Sequence, residues 1–203
     1  MFPSFLLALR EGLEAALIIG IVFGALRKLQ RTELAPAVWL GVVSAAAVSI
    51  IGAWLLNLLG ASFEGATEEI FEGLTMFAAA TVLTWMIFWM QRQARTLQSE
   101  LESDVRRAAQ SSRAQALFAL SFFAVVREGI ELALFLTAAA ITSTAAQTLL
   151  GAALGLAASA VLGWSLFAST ARLNLRRFFQ VTSFLLIIFA AGLVAHGIHE
   201  FNE

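Results

Sequence analysis

The chain has no cysteine among its 203 residues. Disulfide frameworks, thiolate nucleophiles and metal sites built on sulfur are therefore excluded. Charge is the second scarcity: 13% of residues are charged, 60% are hydrophobic, and mean hydropathy is +0.83. A soluble domain carries roughly 25% charged residues. Net charge is −1, with no basic patch interleaved with aromatics, so nucleic acid is not expected as a partner. The first apolar segment also lacks a basic leader. Arg10, Glu11 and Glu14 interrupt the place where the apolar core of a signal peptide would sit, so the segment reads as a retained membrane helix.

The charge that is present is clustered, leaving apolar runs of about 20 residues, the length that crosses a bilayer as a helix. Six spans can be drawn, at 4–26, 36–59, 69–91, 115–140, 147–170 and 177–197. The expected fold is all-α: a polytopic membrane helix bundle. Eleven of the 13 basic residues fall in three segments: Arg27, Lys28 and Arg31; Arg92, Arg95, Arg106, Arg107 and Arg113; Arg172, Arg176 and Arg177. Basic loops stay cytoplasmic, so the N-terminus is expected outside, with alternate loops facing outward.

The other two basic residues are intramembrane, and each opens a short motif. Arg10-Glu11-Gly12-Leu13-Glu14 and Arg127-Glu128-Gly129-Ile130-Glu131 lie 117 positions apart. They head two halves, 1–91 and 115–203, of three helices each, joined by a polar cytoplasmic connector at 92–114 that reads as a solvated helix. Three is odd, so the second half is expected to sit upside down relative to the first. Inverted repeats of this kind are common in secondary transporters, with the site near the midplane.

On a helix, residues three and four apart share a face, so Glu11 with Glu14, and Glu128 with Glu131, converge beside their arginine. Three central charges cost on the order of 8–10 kcal/mol of insertion free energy, against about 4–7 kcal/mol returned by the apolar residues. Such a helix needs a partner, and the other motif helix is the expected one. Four carboxylates and two guanidiniums sum to −2, which calls for a cation. Oxygen-only ligation suits hard ions such as Mg²⁺, Ca²⁺, Mn²⁺ or iron. The bland alternative is a pair of interhelical salt bridges, which would leave two buried carboxylates over.

At this point the chain resembles a known group. Two R-E-x-x-E motifs in the first and fourth helices of an N-out membrane protein are similar to those of the high-affinity iron permeases, which comprise the oxidase-coupled permeases of fungi and the bacterial elemental-iron uptake permeases. The resemblance implies a multi-pass protein of the cell membrane, the inner membrane in a bacterium, that imports iron as its substrate, usually Fe³⁺, with no cofactor and no enzymatic activity. It implies an extracytoplasmic ferroxidase or peroxidase partner. It also implies that Glu11, Glu14, Glu128 and Glu131 are metal ligands, supported by Arg10 and Arg127. Members usually have seven spans, whereas these residues hold six.

Two other readings use the same carboxylates: a transporter of another hard divalent cation or a proton-coupled exchanger, and a membrane di-iron carboxylate enzyme. The second needs Glu-x-x-His pairs, and neither motif has a His three residues on.

Secondary features surround the motifs. Glu64, Glu68, Glu69 and Glu72 would form an acidic outer mouth that concentrates cations, or complement a helix macrodipole. His196, His199 and Glu200 close the sixth span on the outer side, as an interfacial histidine pair or as further ligands. Gly20 with Gly24, and Gly151 with Gly155, have the spacing of close helix contact, within the chain or between copies in a homo-oligomer. Gly12 and Gly129 would let another helix or an ion approach the backbone. Trp39, Trp54, Trp85, Trp89 and Trp164 read as interfacial anchors, and Asn57 and Thr75 offer oxygen to a pathway.

Overall fold

Long apolar runs without internal proline leave the backbone one way to satisfy its N–H and C=O groups away from water, and that is helix. The computed structural model describes residues 1–60, 66–93, 97–110, 114–141, 143–168 and 175–200. Within these, the side chains at 59–60, 66–69, 90–93, 97–100, 109–110, 166–168, 175–177 and 199–200 are not described.

Seven α-helices follow one another among the described residues: α1 (Phe2–Lys28), α2 (Ala35–Gly60), α3 (Ala66–Gln93), α4 (Leu97–Gln110), α5 (Ala114–Ile141), α6 (Ala145–Ala168) and α7 (Leu175–Glu200). Pro3 sits in the first turn of α1, where its missing N–H has no partner to lose. The helix stops at Gln30, whose φ of 56° lies in the left-handed region. There the Arg31 N–H donates to the Leu26 carbonyl at 3.0 Å and the Gln30 N–H to the Arg27 carbonyl at 3.2 Å. These two bonds satisfy carbonyls that the last turn would otherwise strand.

Apart from α4, the helices run 24 to 28 residues. At 1.5 Å per residue each is about 36–42 Å long, ample for a hydrocarbon core of about 30 Å. Four are long and apolar enough throughout to cross a membrane, over Thr32–Leu58, Ile70–Trp89, Ala145–Ser165 and Phe178–Ile198. The protein is thus a multi-pass membrane protein. The two remaining long helices, α1 and α5, are the ones whose apolar stretches carry the three motif charges each.

The bundle is held by small residues. Helix α6 buries Gly151, Gly155, Ser159 and Gly163 at four-residue intervals and turns Leu149, Leu154, Val161 and Trp164 outward. In lipid, burying a leucine gains little, whereas a glycine or serine lets two backbones close up and gain dispersion contact. The stripe lies on α1 in ascending register: Gly151 against Ser4 and Phe5, Gly155 against Phe5 and Ala8, Ser159 against Gly12, and Gly163 against Ala16. So α1 and α6 run parallel. Helices α2 and α5 repeat the arrangement, with Gly41 against Phe118, Ser121 and Phe122, and Ser49 against Gly129. Gly151 and Gly155 therefore serve packing within the chain, and a side chain at Gly24 would meet open space.

Two apolar clusters join these pairs. One gathers Leu6 and Leu7 of α1, Phe135 and Ala138 of α5, Met76, Leu83 and Met86 of α3, and Leu186 and Leu193 of α7. The other gathers Val22, Ala25 and Leu26 of α1, Leu117 of α5, Val38 of α2, and Val105 and Ala108 of α4. The start of α1 thus meets the end of α5 and the reverse, so the two cross antiparallel with their motifs between the clusters. The connector α4 is amphipathic, burying Val105 and Ala108 while Asp104, Arg106 and Arg107 stay exposed. It is a helix, as its composition predicts, but one docked on the ends of α1 and α5.

Candidate functional site

Glu11 is on the third turn of α1 and Glu128 near the middle of α5, and the antiparallel crossing turns both toward the same point. Arg10 and Glu11 are fully buried, and Glu128 and Glu131 are buried. One carboxylate oxygen each from Glu11, Glu128 and Glu131 lies within 4.8 Å of the others. Both oxygens of Glu11, Oε2 of Glu128 and Oε2 of Glu131 are buried and accept no hydrogen bond. A buried carboxylate ordinarily recruits donors. A cluster of carboxylate oxygens without donors is instead suited to a cation, which satisfies several lone pairs at once.

Each arginine reaches along its own helix. Arg10 Nε is 3.2 Å from Glu14 Oε1 and its Nη1 is 3.7 Å from Glu11 Oε1. Arg127 Nε donates to Glu131 Oε1 at 2.9 Å. These i,i+4 pairs follow from helix geometry alone. The fourth motif glutamate, Glu14, engages Arg10 and stands outside the three-oxygen cluster.

Despite their matched positions, the two arginines have unlike surroundings. The Arg10 guanidinium is sealed beside the Met86 thioether, with Nη1 4.0 Å from Sδ. Arg127 is 37% exposed and its guanidinium lies 4.3 Å from the Trp89 ring centroid, a cation–π contact. Trp89 stacks in turn on Trp85 at 6.1 Å. Of the tryptophans read as anchors, Trp39, Trp54, Trp85 and Trp164 are outward and exposed, but Trp89 is half-buried on the motif.

The outlying residues fall elsewhere. Glu72 is half-buried on α3, and Glu68 and Glu69 precede it on the same helix. The Glu64 position lies outside the described residues. His196, near the end of α7, lines a cavity of about 570 Å³ with Pro3, Ile141, Phe189, Gly192 and Leu193. His199 and Glu200 are on the same helix, with side chains outside the description. A side chain added at Gly197 would meet the Phe77 ring at 3.2 Å and the Gly73 carbonyl at 3.5 Å, so the end of α7 lies beside the start of α3, and this histidine and Glu72 are at one end of the bundle.

Sequence reasoning did not find Met86, Ser49 or Ser159, and it read Trp89 as an interfacial anchor and not as the partner of Arg127. For the serines a signal existed: Gly41 and Ser49 recur as Gly151 and Ser159, 110 positions on. For Met86 and Trp89 none did, because α3 reaches the motifs only through tertiary packing.

Comparisons with known proteins give the family. The family described as "Iron permease FTR1 family" matches residues 1–203. A protein named ferrous iron permease EfeU from Escherichia coli O6:K15:H31 (strain 536 / UPEC) is 41% identical over 205 residues, covering 100% of this chain and 74% of that protein. The protein of the same name from Yersinia pestis is 38% identical over 205 residues, covering 100% and 73%. No solved structure matches significantly. This chain belongs to the iron permease FTR1 family.

Proposed function

We propose that this protein is a permease that moves iron inward through a midplane site formed by Glu11, Glu14, Glu128 and Glu131, with Arg10 and Arg127 holding the carboxylates and limiting their excess charge. The observation that carries the reading is the meeting of Glu11, Glu128 and Glu131 oxygens within 4.8 Å, buried and largely without donors. Glu14, paired with Arg10 on the adjacent turn, completes the set when the ion arrives or leaves. The relatives are named permeases, which supports transport over catalysis.

The reading includes a topology: six spans, N-terminus outside, in a cell membrane, with 1–91 and 115–203 as inverted repeats around the connector 92–114. Its support is the antiparallel crossing of α1 with α5 and the matched contacts of the two halves. Ser4 and Phe5 against Gly151 correspond to Ser121 and Phe122 against Gly41. Glu64, Glu68, Glu69, Glu72, His196, His199 and Glu200 form the outer mouth, where an extracytoplasmic ferroxidase or peroxidase would deliver Fe³⁺. A second reading, ferrous iron as the cargo, is favoured by the relatives' name and by the site's formal charge of −2, which a divalent ion neutralises.

Radioiron uptake into proteoliposomes tests both. Glu11→Gln and Glu128→Gln are expected to abolish uptake. Holding iron reduced with ascorbate, or oxidised as citrate complex, identifies the cargo. Uptake unchanged in both variants would overturn the site.

A further inference from the structure

Each motif contains a glycine one residue after its first glutamate, and each glycine faces a serine from the other half of the chain. A Cβ built on Gly12 would clash with Ser159 Oγ and lie 3.0 Å from Ser159 Cβ and 3.1 Å from Leu156 Cδ2. A Cβ on Gly129 would clash with both Oγ and Cβ of Ser49. The hydroxyls are occupied on their own helices: Ser159 Oγ donates to the Leu156 carbonyl at 2.8 Å and Ser49 Oγ to the Ala45 carbonyl at 2.9 Å. Turned back this way, a serine presents itself as a small knob with its polar group already satisfied. The two contacts join α6 to α1 and α2 to α5, which are the most extensive helix pairings in the bundle.

We infer that Gly12–Ser159 and Gly129–Ser49 are positioning contacts: holes in the motif helices that each seat a serine knob, letting α6 close on α1 and α2 on α5, and thereby set where the glutamate oxygens lie. This rests on the reading of the glutamate cluster as the cation site. The contacts occur within the motifs, between Glu11 and Glu14 on one helix and Glu128 and Glu131 on the other, so a shift of either helix reaches the carboxylates undiminished. Carbon and oxygen atoms pack at about 3.5–4.0 Å, so a methyl at Gly12 or Gly129 pushes its helix away by about 1 Å. Functional constellations tolerate about 0.5 Å.

The test exchanges knob and hole. Gly12→Ala is expected to lower uptake by about 10–100-fold in Vmax/KM, the scale of a 1 Å misplacement. Ser159→Gly alone should change it less than about threefold, since only a small contact is lost. The double variant Gly12→Ala/Ser159→Gly should return to within about threefold of wild type, because the methyl then occupies the space of the serine. Gly129→Ala with Ser49→Gly should behave alike.

A second readout does not depend on the cargo. Spin labels on Gly24→Cys of α1 and Phe123→Cys of α5, both exposed positions in a cysteine-free chain, should report an altered α1–α5 separation in Gly12→Ala and its recovery in the double variant. Distance and uptake both restored would support the inference. Distance restored without uptake, or neither restored, would overturn it. Wild-type protein that takes up no iron would sink the proposed function instead, leaving the distance pattern to decide the serines' role.

Discussion

Replacing Glu11 by Gln is expected to stabilise the metal-free protein while removing its response to iron. Glu11 is within 4.8 Å of both Glu128 and Glu131, oxygen to oxygen, and 3.7 Å from the Arg10 guanidinium. At an effective dielectric of about 20, each ionised pair repels by about 3.5 kcal/mol and the arginine attracts by about 4.5 kcal/mol. The two repulsions win by about 2–3 kcal/mol, and relaxation reduces a measurable gain to about 1–2 kcal/mol. Glutamine also brings N–H donors beside Glu128 Oε2 and Glu131 Oε2, which accept no hydrogen bond. In detergent with a chelator the variant should therefore melt higher, by about 2–4 °C per kcal/mol for a chain of this length. With free ion at 100 times the wild-type dissociation constant, bound iron should stabilise wild type by about 2.7 kcal/mol. A variant binding 100-fold more weakly would keep about 0.4 kcal/mol. A lower melting point in chelator, or an iron-induced shift equal to that of wild type, would refute the reasoning.

Arg10→Met should be far more damaging than Arg127→Met, because Arg10 is fully buried and its loss strands two carboxylates at about 3–5 kcal/mol, whereas Arg127 is 37% exposed; monodisperse yield after purification measures this. Trp89→Leu should remove the cation–π contact, worth about 1–2 kcal/mol, and leave the Arg127–Glu131 pair, lowering uptake while the protein still folds. Asp104→Cys should react with an impermeant maleimide only after the membrane is opened, and Ala146→Cys in intact cells. The reverse pattern would invert the topology. Val105→Asp should undock α4 from α1 and α5, seen as faster proteolysis of the connector.

Much of the fold was legible because membrane helices are written locally. The spans read at 36–59 and 177–197 are the helices Ala35–Gly60 and Leu175–Glu200, both apolar enough to cross a membrane, since a run of apolar residues needs no tertiary information to become helix. The arginine pairs were legible for the same reason: a residue four positions on is a neighbour on any α-helix, so Arg10–Glu14 and Arg127–Glu131 required no partner to predict. The amphipathic connector was also readable as a helix, though its docking on α1 and α5 was not.

What the linear order left open was everything set by contact between helices. The expectation that each motif helix leans chiefly on the other holds only at the crossing, for α1 lies mainly on α6 and α5 on α2. That choice depends on where serine knobs meet glycine holes, a matter of shape complementarity between surfaces 80 or more residues apart in the chain. The same is true of the glutamates. Residue types and spacing supplied four acids and two bases deep in an apolar chain. Only the crossing of two antiparallel helices brought Glu11 to Glu128 and Glu131, turned Glu14 to Arg10, and gave the matched arginines a methionine on one side and a tryptophan on the other. Periodicity fixes which side chains share a face, but the distance between faces is a property of packing.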